Sequence, residues 1–479
     1  MDKNTLSKAD TKRRDKILNG NLLSAIFIIC GPLFVYNFFN SLYNLIDTIM
    51  VSQISTKGVS SVASIGQIKD LFAALGTGVA GGAGILIAHA FGEGDMEKGK
   101  KYVNVLTTLA MIIAIVLLVI CIPFAQPLLL LLGYPEELIS IGVGYFMLQI
   151  VNQAIVVYNS AFIAIQKAKG DTKSIFYLNI ISMFIKLILN VIFIFGFRVQ
   201  DTIYVALATI ISQLTLFVIL FIIVNKKNNV FRVNLIKFNL QWEYVKKVIR
   251  LSLPIFLGKF VFSFGKVGVN AMCKNYGALV TGALAVSNNI CGLITNPLNS
   301  FEEGGSTLVS QNLGNNNKKR ALKAFGLILI ISTIIGVVGY IFMRFVFQDS
   351  LISLFSKADT KETIEETELF MSIIKSIYNF DSWSIFSLAV NSAVLGVLLG
   401  FGKTTYAMII NFARVFVFRI PVLWFLQTFH PEMGAECAGL SMGISNICIA
   451  LMSLIMLAIF LLNLKRKEKK NILKEQENS

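Results

Sequence analysis

GPLFVYNFFNSLYNLIDTIMV, residues 31–51, returns 222 positions later as LPIFLGKFVFSFGKVGVNAMC, residues 253–273. Pro32 falls on Pro254, Phe34 on Phe256, Phe38 on Phe260, Ser41 on Ser263 and Met50 on Met272. The register runs without a gap from Gly31 to Lys101 against Leu253 to Lys323. Ala63 thus meets Ala285, Gly82 meets Gly304, Leu86 meets Leu308 and Gly92 meets Gly314. Apolar stretches align readily by chance. Shared proline and glycine positions weigh against chance, because each answers a backbone requirement. The chain reads as two related halves.

Both copies are apolar and long, and so is most of the chain around them. Of 479 residues, 55% are hydrophobic and 15% charged, which is too little charge for a soluble surface of this size. Apolar runs of about 18–25 residues recur throughout, and about 20 suffice to cross a bilayer. Backbone inside hydrocarbon must satisfy its own polar groups, and no alternating barrel pattern is present, so the runs are helices. The expected fold is an all-α integral membrane protein with about twelve transmembrane helices in two six-helix pseudo-symmetric bundles. The divisions are a cytoplasmic N-terminal segment at 1–20, a first bundle at 21–225, a cytoplasmic linker at 226–248, a second bundle at 249–464 and a cytoplasmic tail at 465–479. An even number of spans per half gives both halves one orientation, with their pseudo-two-fold axis along the membrane normal. Transporters often place the substrate between such halves.

The net charge of +16 comes from 43 Lys and Arg against 27 Asp and Glu. The excess sits in alternate short loops, among them Lys98, Lys100 and Lys101, then Lys167, Lys169 and Lys173, then Lys318, Lys319 and Arg320. That bias speaks for topology, with both termini cytoplasmic in a multi-pass plasma-membrane protein, and against a nucleic-acid partner. The six cysteines form no C-x-x-C and fall mostly in apolar runs, and His89 and His430 are the two histidines, so no metal site or cofactor is expected. No loop carries a nucleophile–base set, which argues against an enzyme.

Intramembrane polar groups are costly, so their spacing marks a pathway. On the first span Asn37, Asn40, Asn44 and Asp47 share one helical face. The matching face of the seventh span carries Lys259, Ser263, Lys266 and Asn270. Gln67 and Asp70 stand on the second span, Asn289, Asn296, Asn299, Glu302 and Glu303 on the eighth, Lys186 and Asn190 on the fifth, and Arg414 and Arg419 on the eleventh. Lys259 and the Glu302/Glu303 pair fall at similar depths, so an ion pair between them is feasible. Asp47 ends a face of amides with no cation in its own span, and a carboxylate there can take a proton or a cation.

Gly31-Pro32, the run from Asn44 to Val51, the glycine-rich stretch before Gly92, Leu253-Pro254, the run from Leu308 to Gly314 and Arg419-Ile-Pro421 together resemble the multidrug and toxic compound extrusion family. The resemblance covers nearly the whole chain. It implies two six-helix bundles around a V-shaped cavity and export of small organic, usually cationic, compounds coupled to H⁺ or Na⁺. It also implies a bending role for Pro32, with Pro254 its counterpart, and a coupling role for Asp47. In some members an Asn and an Asp on the fifth span lie near that aspartate; here Lys186 and Asn190 stand in those places. Other members carry a glutamate where this chain has Phe262, and an aspartate within the stretch matching Leu388 to Val397, which holds no acid here.

The expected function is a secondary antiporter working by alternating access, with Asp47, Asn44, Asn190 and Lys186 as the coupling group. Asn37, Asn40, Gln67, Asp70, Lys259, Lys266, Asn289, Asn296, Asn299, Glu302 and Glu303 line the substrate path. The alternative is a flippase of the wider superfamily moving lipid-linked oligosaccharide or other anionic lipid precursors, for which the second-half cations are suited.

Overall fold

The computed structural model describes residues 6–52, 56–131, 139–197, 203–226, 229–233, 240–273, 276, 278–353 and 364–477, with side chains at 47–52, 56–68 and some other helix ends outside that description. A short helix, α1 (Lys8–Leu18), precedes the long ones. The first half continues through α2 (Leu22–Ser52), α3 (Thr56–Glu93), α4 (Met96–Val116), α5 (Ala125–Leu131), α6 (Ile139–Ala168), α7 (Thr172–Val191) and α8 (Ile203–Val224). The second half runs through α9 (Trp242–Cys273), α10 (Ala278–Gly314), α11 (Lys318–Phe345), α12 (Gln348–Ser353), α13 (Ile364–Asp381), α14 (Ile385–Gly400), α15 (Thr404–Phe412), α16 (Ile420–Phe429) and α17 (Glu436–Glu477).

Among the described residues, eleven helical stretches are long and apolar enough to cross a membrane. The twelfth long helix, α10, is less apolar because Asn289, Asn296, Asn299, Glu302 and Glu303 lie along it. The expected twelve-helix, all-α architecture is the one observed. α13 and α14 form one span joined by a tight turn at 382–384, and α15 and α16 form one joined by a π-helical stretch at 413–419. Pro32 and Pro254 sit inside α2 and α9, and α10 holds a further Pro297.

The 222-residue repeat extends to individual atoms. At the end of α3, Gly94 adopts φ +88°, and Asp95 accepts a hydrogen bond from the Lys98 backbone N–H to cap α4. At the end of α10, Asn316 adopts φ +55°, and Asn317 caps α11 through the backbone N–H of Arg320. Glycine meets the left-handed requirement at no steric cost, and asparagine is the residue next best suited to it.

The halves meet along a seam where glycines let main chains touch. A Cβ on Gly82 would collide with Ser252, and one on Gly304, its counterpart, would collide with Cys30, the counterpart of Ser252. Gly92 likewise lies against the carbonyl of Gln311, and Gly314 against that of His89. Each contact is the image of another under the same offset. The seam also exchanges core residues. Ala25, Ile26, Ile29 and Cys30 of α2 pack with Leu308, Ile328 and Leu398 of the second half, while Val245 and Val248 of α9 pack with Phe91 and Phe231 of the first.

Both α1 and the extension of α17 around Glu468 lie at the seam end. Arg14 donates to the carbonyls of Phe91 and Gly92 at 2.8 and 2.7 Å, and Arg13 pairs with Asp171 at 3.0 Å. Arg320 donates to the carbonyls of Ile17 and Gly20, so α1 is strapped to both halves. At the other terminus Lys318 pairs with Glu468 on the extension of α17. Lys169, which reads in the sequence as a loop cation, is buried beside Asn229 at 3.1 Å and Asp10 at 4.0 Å. Burial pulls its ammonium pKa below the usual lysine range, against the pull of Asp10 and Asp171.

Candidate functional site

Above the seam the four central helices α2, α3, α9 and α10 separate around a chamber. One part, of about 290 Å³, is walled by Tyr36, Asn37, Lys167, Lys259, Glu302 and Glu303. A second part, of about 310 Å³, shares Thr77, Lys259, Glu302 and Glu303 with the first and adds Asp70, Asn299 and Arg414. Small residues of α3 make the room: Ala73, Ala74 and Thr77 face one part, Ala80, Gly81 and Gly84 the other.

The charges are distributed differently from the sequence expectation. Lys259 and the two glutamates do share the chamber, but among the described residues they form no ion pair within 4 Å. Glu303 is paired instead with Lys167, at 2.8 Å from the end of α6. Lys167 reads in the sequence as one more basic residue of a loop. The signal that could have found it is geometric: side chains lean toward the start of their helix, so a lysine in the last turn of α6 reaches back toward the chamber. Glu302 has no hydrogen bond or ion pair among the described residues.

Of the other expected residues, Asn37 lines the first part, and Asp70 and Asn299 the second. Asn296 bridges the halves by donating to Ser41 Oγ at 3.0 Å. Lys266 lies over the Phe262 ring at 4.9 Å, and the Arg414 guanidinium lies against the same ring at 4.8 Å. Asn40 and Asn289 are half-buried on α2 and α10, away from both parts of the chamber. In the first half Tyr43, not singled out in the sequence, is the hub. Asn190 donates to its hydroxyl at 3.3 Å, and Lys186 sits over its ring at 4.8 Å. Asn44 is exposed on the next position of α2. The side chains of Asp47 on α2 and Gln67 on α3 lie outside the described residues.

A polar network backs the second part of the chamber. Arg414 and Arg419 converge on Asn446 Oδ1 at 2.9 and 3.0 Å, and Arg419 also donates to Ser445 at 3.0 Å. The amide nitrogen of Asn446 donates to Ser384 at 2.8 Å and reaches Asp381 at 3.4 Å. Asp381, Arg419 and Asn446 are all buried. The π-helical stretch carries both arginines, and such stretches often occur at functional sites. A chamber with carboxylate, ammonium and aromatic walls can hold an organic ion by charge and by apolar contact together.

The MatE family model matches residues 32–192 and 254–425, two segments that begin 222 residues apart. "Probable multidrug resistance protein YoeA" of Bacillus subtilis is 24% identical over 412 residues, covering 84% of this chain and 86% of the relative. A "FAD transporter" of Shewanella oneidensis is 20% identical over 387 residues, covering 79% and 82%. A solved structure titled "Outward-facing conformation of a multidrug resistance MATE family transporter of the MOP superfamily" superposes with a TM-score of 0.86 at 18% identity, over 96% of this chain and 99% of that one.

Proposed function

The chain belongs to the MatE family, whose members are membrane transporters and not enzymes, and on that premise we propose that it is a secondary efflux antiporter for small organic cations. The observation that carries this reading is the chamber itself. It lies between two related halves, is sealed at the end that bears α1, and presents Glu302 with no hydrogen bond or ion pair among the described residues. By the loop-charge bias that end is cytoplasmic, so a substrate held in the chamber is released on the opposite side of the plasma membrane. Alternating access follows from rocking one half against the other about the seam, with Pro32 and Pro254 allowing α2 and α9 to bend.

The coupling ion is H⁺ or Na⁺, and its site on this reading is Asp47, supported by Asn44, Asn190, Lys186 and Tyr43. Filling Asp47 removes the cost of an ionised carboxylate in a low-dielectric wall and favours one arrangement of α2 over the other. Proteoliposomes with independently imposed Na⁺ and pH gradients test this directly. Export of a cationic dye driven by one gradient supports the reading, and indifference to both overturns it.

A second reading is favoured by Lys259, Lys266 and Arg414, which gather on the second half beside the chamber. They suit a phosphate-bearing compound, either a soluble anion, as the name of the Shewanella relative suggests, or the headgroup of a lipid-linked precursor. Transport of a phosphate-bearing probe in preference to a cationic dye from the same vesicles would establish it.

A further inference from the structure

Among the described residues, Lys167–Glu303 is the one ion pair that joins the two halves, since Lys167 belongs to α6 and Glu303 to α10. It stands on the chamber wall, and its ends are unequally covered: the Lys167 side chain is 17% exposed and that of Glu303 44%. The carboxylate is the end more open to the chamber. On the other side of the pair is the seal. Ala168, next to Lys167, accepts a hydrogen bond from Gln311 Nε2 at 2.6 Å, and Gly304, next to Glu303, packs on Cys30. Ser310 adds a bond to the carbonyl of Ile85 at 2.8 Å. The pair is one residue from a sealing contact in each half.

We propose that Lys167 and Glu303 form a charge latch that holds the seam closed, and that a positive charge arriving in the chamber releases it by competing for Glu303. A fully buried pair would be too costly to break in a working cycle, whereas a half-solvated one has a modest strength that another cation can match. Other groups on the chamber wall bias the competition. Glu302 on α10 and Asp70 on α3 draw cations in. Lys259 on α9 and Arg414 in the π-helical stretch stand on the same wall and oppose the entry of a cation, and Tyr36 lines it from α2. An organic cation and a proton share the required chemistry, since either cancels the charge that Lys167 holds. The proposal rests on the chamber being the substrate site. Its test therefore reads the seam without requiring transport.

Cys30 is 1% exposed against Gly304 and serves as the reporter once the other five cysteines are replaced by alanine. The rate of maleimide labelling at Cys30 then measures how often the seam opens. Lys167→Glu and Glu303→Gln each raise the rate about fivefold, the population change expected for loss of about 1 kcal/mol. The exchange Lys167→Glu with Glu303→Lys brings it back toward the parent value. Tetraphenylphosphonium at pH 8 raises labelling in the parent but not in Glu303→Gln, and a drop to pH 5 without it shows whether a proton alone suffices. Single variants that label like the parent, or an exchange that fails to restore it, overturn the latch. Tetraphenylphosphonium that binds by calorimetry yet leaves labelling unchanged overturns the release step. Failure to bind at all removes the proposed substrate class and the release step with it, and the charge exchange then judges the latch alone.

Discussion

Arg320, in the first turn of α11, donates a hydrogen bond at 2.6 Å to the carbonyl of Gly20, just beyond α1. The contact joins residues 300 apart and places a second-half side chain on a first-half strap. Because Arg14 holds the same strap to the end of α3, α1 ties both halves at the sealed end.

Replacing Arg320 with alanine removes two charge-assisted hydrogen bonds, to Ile17 and Gly20, and is expected to cost about 1–3 kcal/mol. Thermal unfolding of the purified protein in detergent checks this, with Lys319→Ala as the neighbouring control. Equal midpoints for the two variants would show that the strap contributes nothing.

The glycine seam makes a paired prediction. Gly92→Ala and Gly314→Ala each press a methyl group onto a main-chain carbonyl that has no rotamer with which to yield. Overpacking of this kind costs about 1–3 kcal/mol, and the two variants should lose similar amounts because their surroundings are images of one another. A large loss at one position and none at the other, again by thermal unfolding, would contradict the symmetry of the seam.

Asn446 gathers Arg414, Arg419 and Ser384, so Asn446→Leu leaves two guanidinium groups short of an acceptor in a buried site. A loss of about 2–3 kcal/mol is expected. Arg414 should also turn toward the chamber, which a changed affinity for a charged dye would report.

Asp47→Asn keeps the shape of the side chain and removes its charge. Gradient-driven efflux from vesicles should fall to background while the amount of inserted protein stays at the parental level. Undiminished efflux in this variant would exclude Asp47 as the coupling group.

Lys259 and Glu302 separate the two readings of the chamber. For a cationic substrate Glu302→Gln weakens binding and Lys259→Gln strengthens it, each roughly tenfold if about 1.4 kcal/mol of Coulomb energy is involved. For a phosphate-bearing substrate both signs reverse. Titration of each variant with a cationic and an anionic dye gives the sign.

Much of this architecture is legible in the sequence because it rests on local chemistry. Span length and the register of prolines and glycines each follow from a few neighbouring residues. Pairings between helices are not local. The sequence offers Lys259 to Glu303 by depth alone, and the partner it takes, Lys167, depends on how α6 packs against α3. Lys169 was likewise legible as a basic residue but not as a buried one, because α1, which covers it, reads only as a polar segment. Tyr43 escaped notice since one tyrosine among many aromatic residues carries no periodic signal. Its role appears once α7 brings Lys186 and Asn190 to it.

The contacts of Gly82, Gly92, Gly304 and Gly314 close the seam end of the molecule by pressing main chain directly onto main chain or onto the short side chains of Ser252 and Cys30. Such a plug behaves as an electrical insulator. A cell that maintains an ion gradient can therefore keep this protein idle in its membrane without short-circuiting its own energy supply.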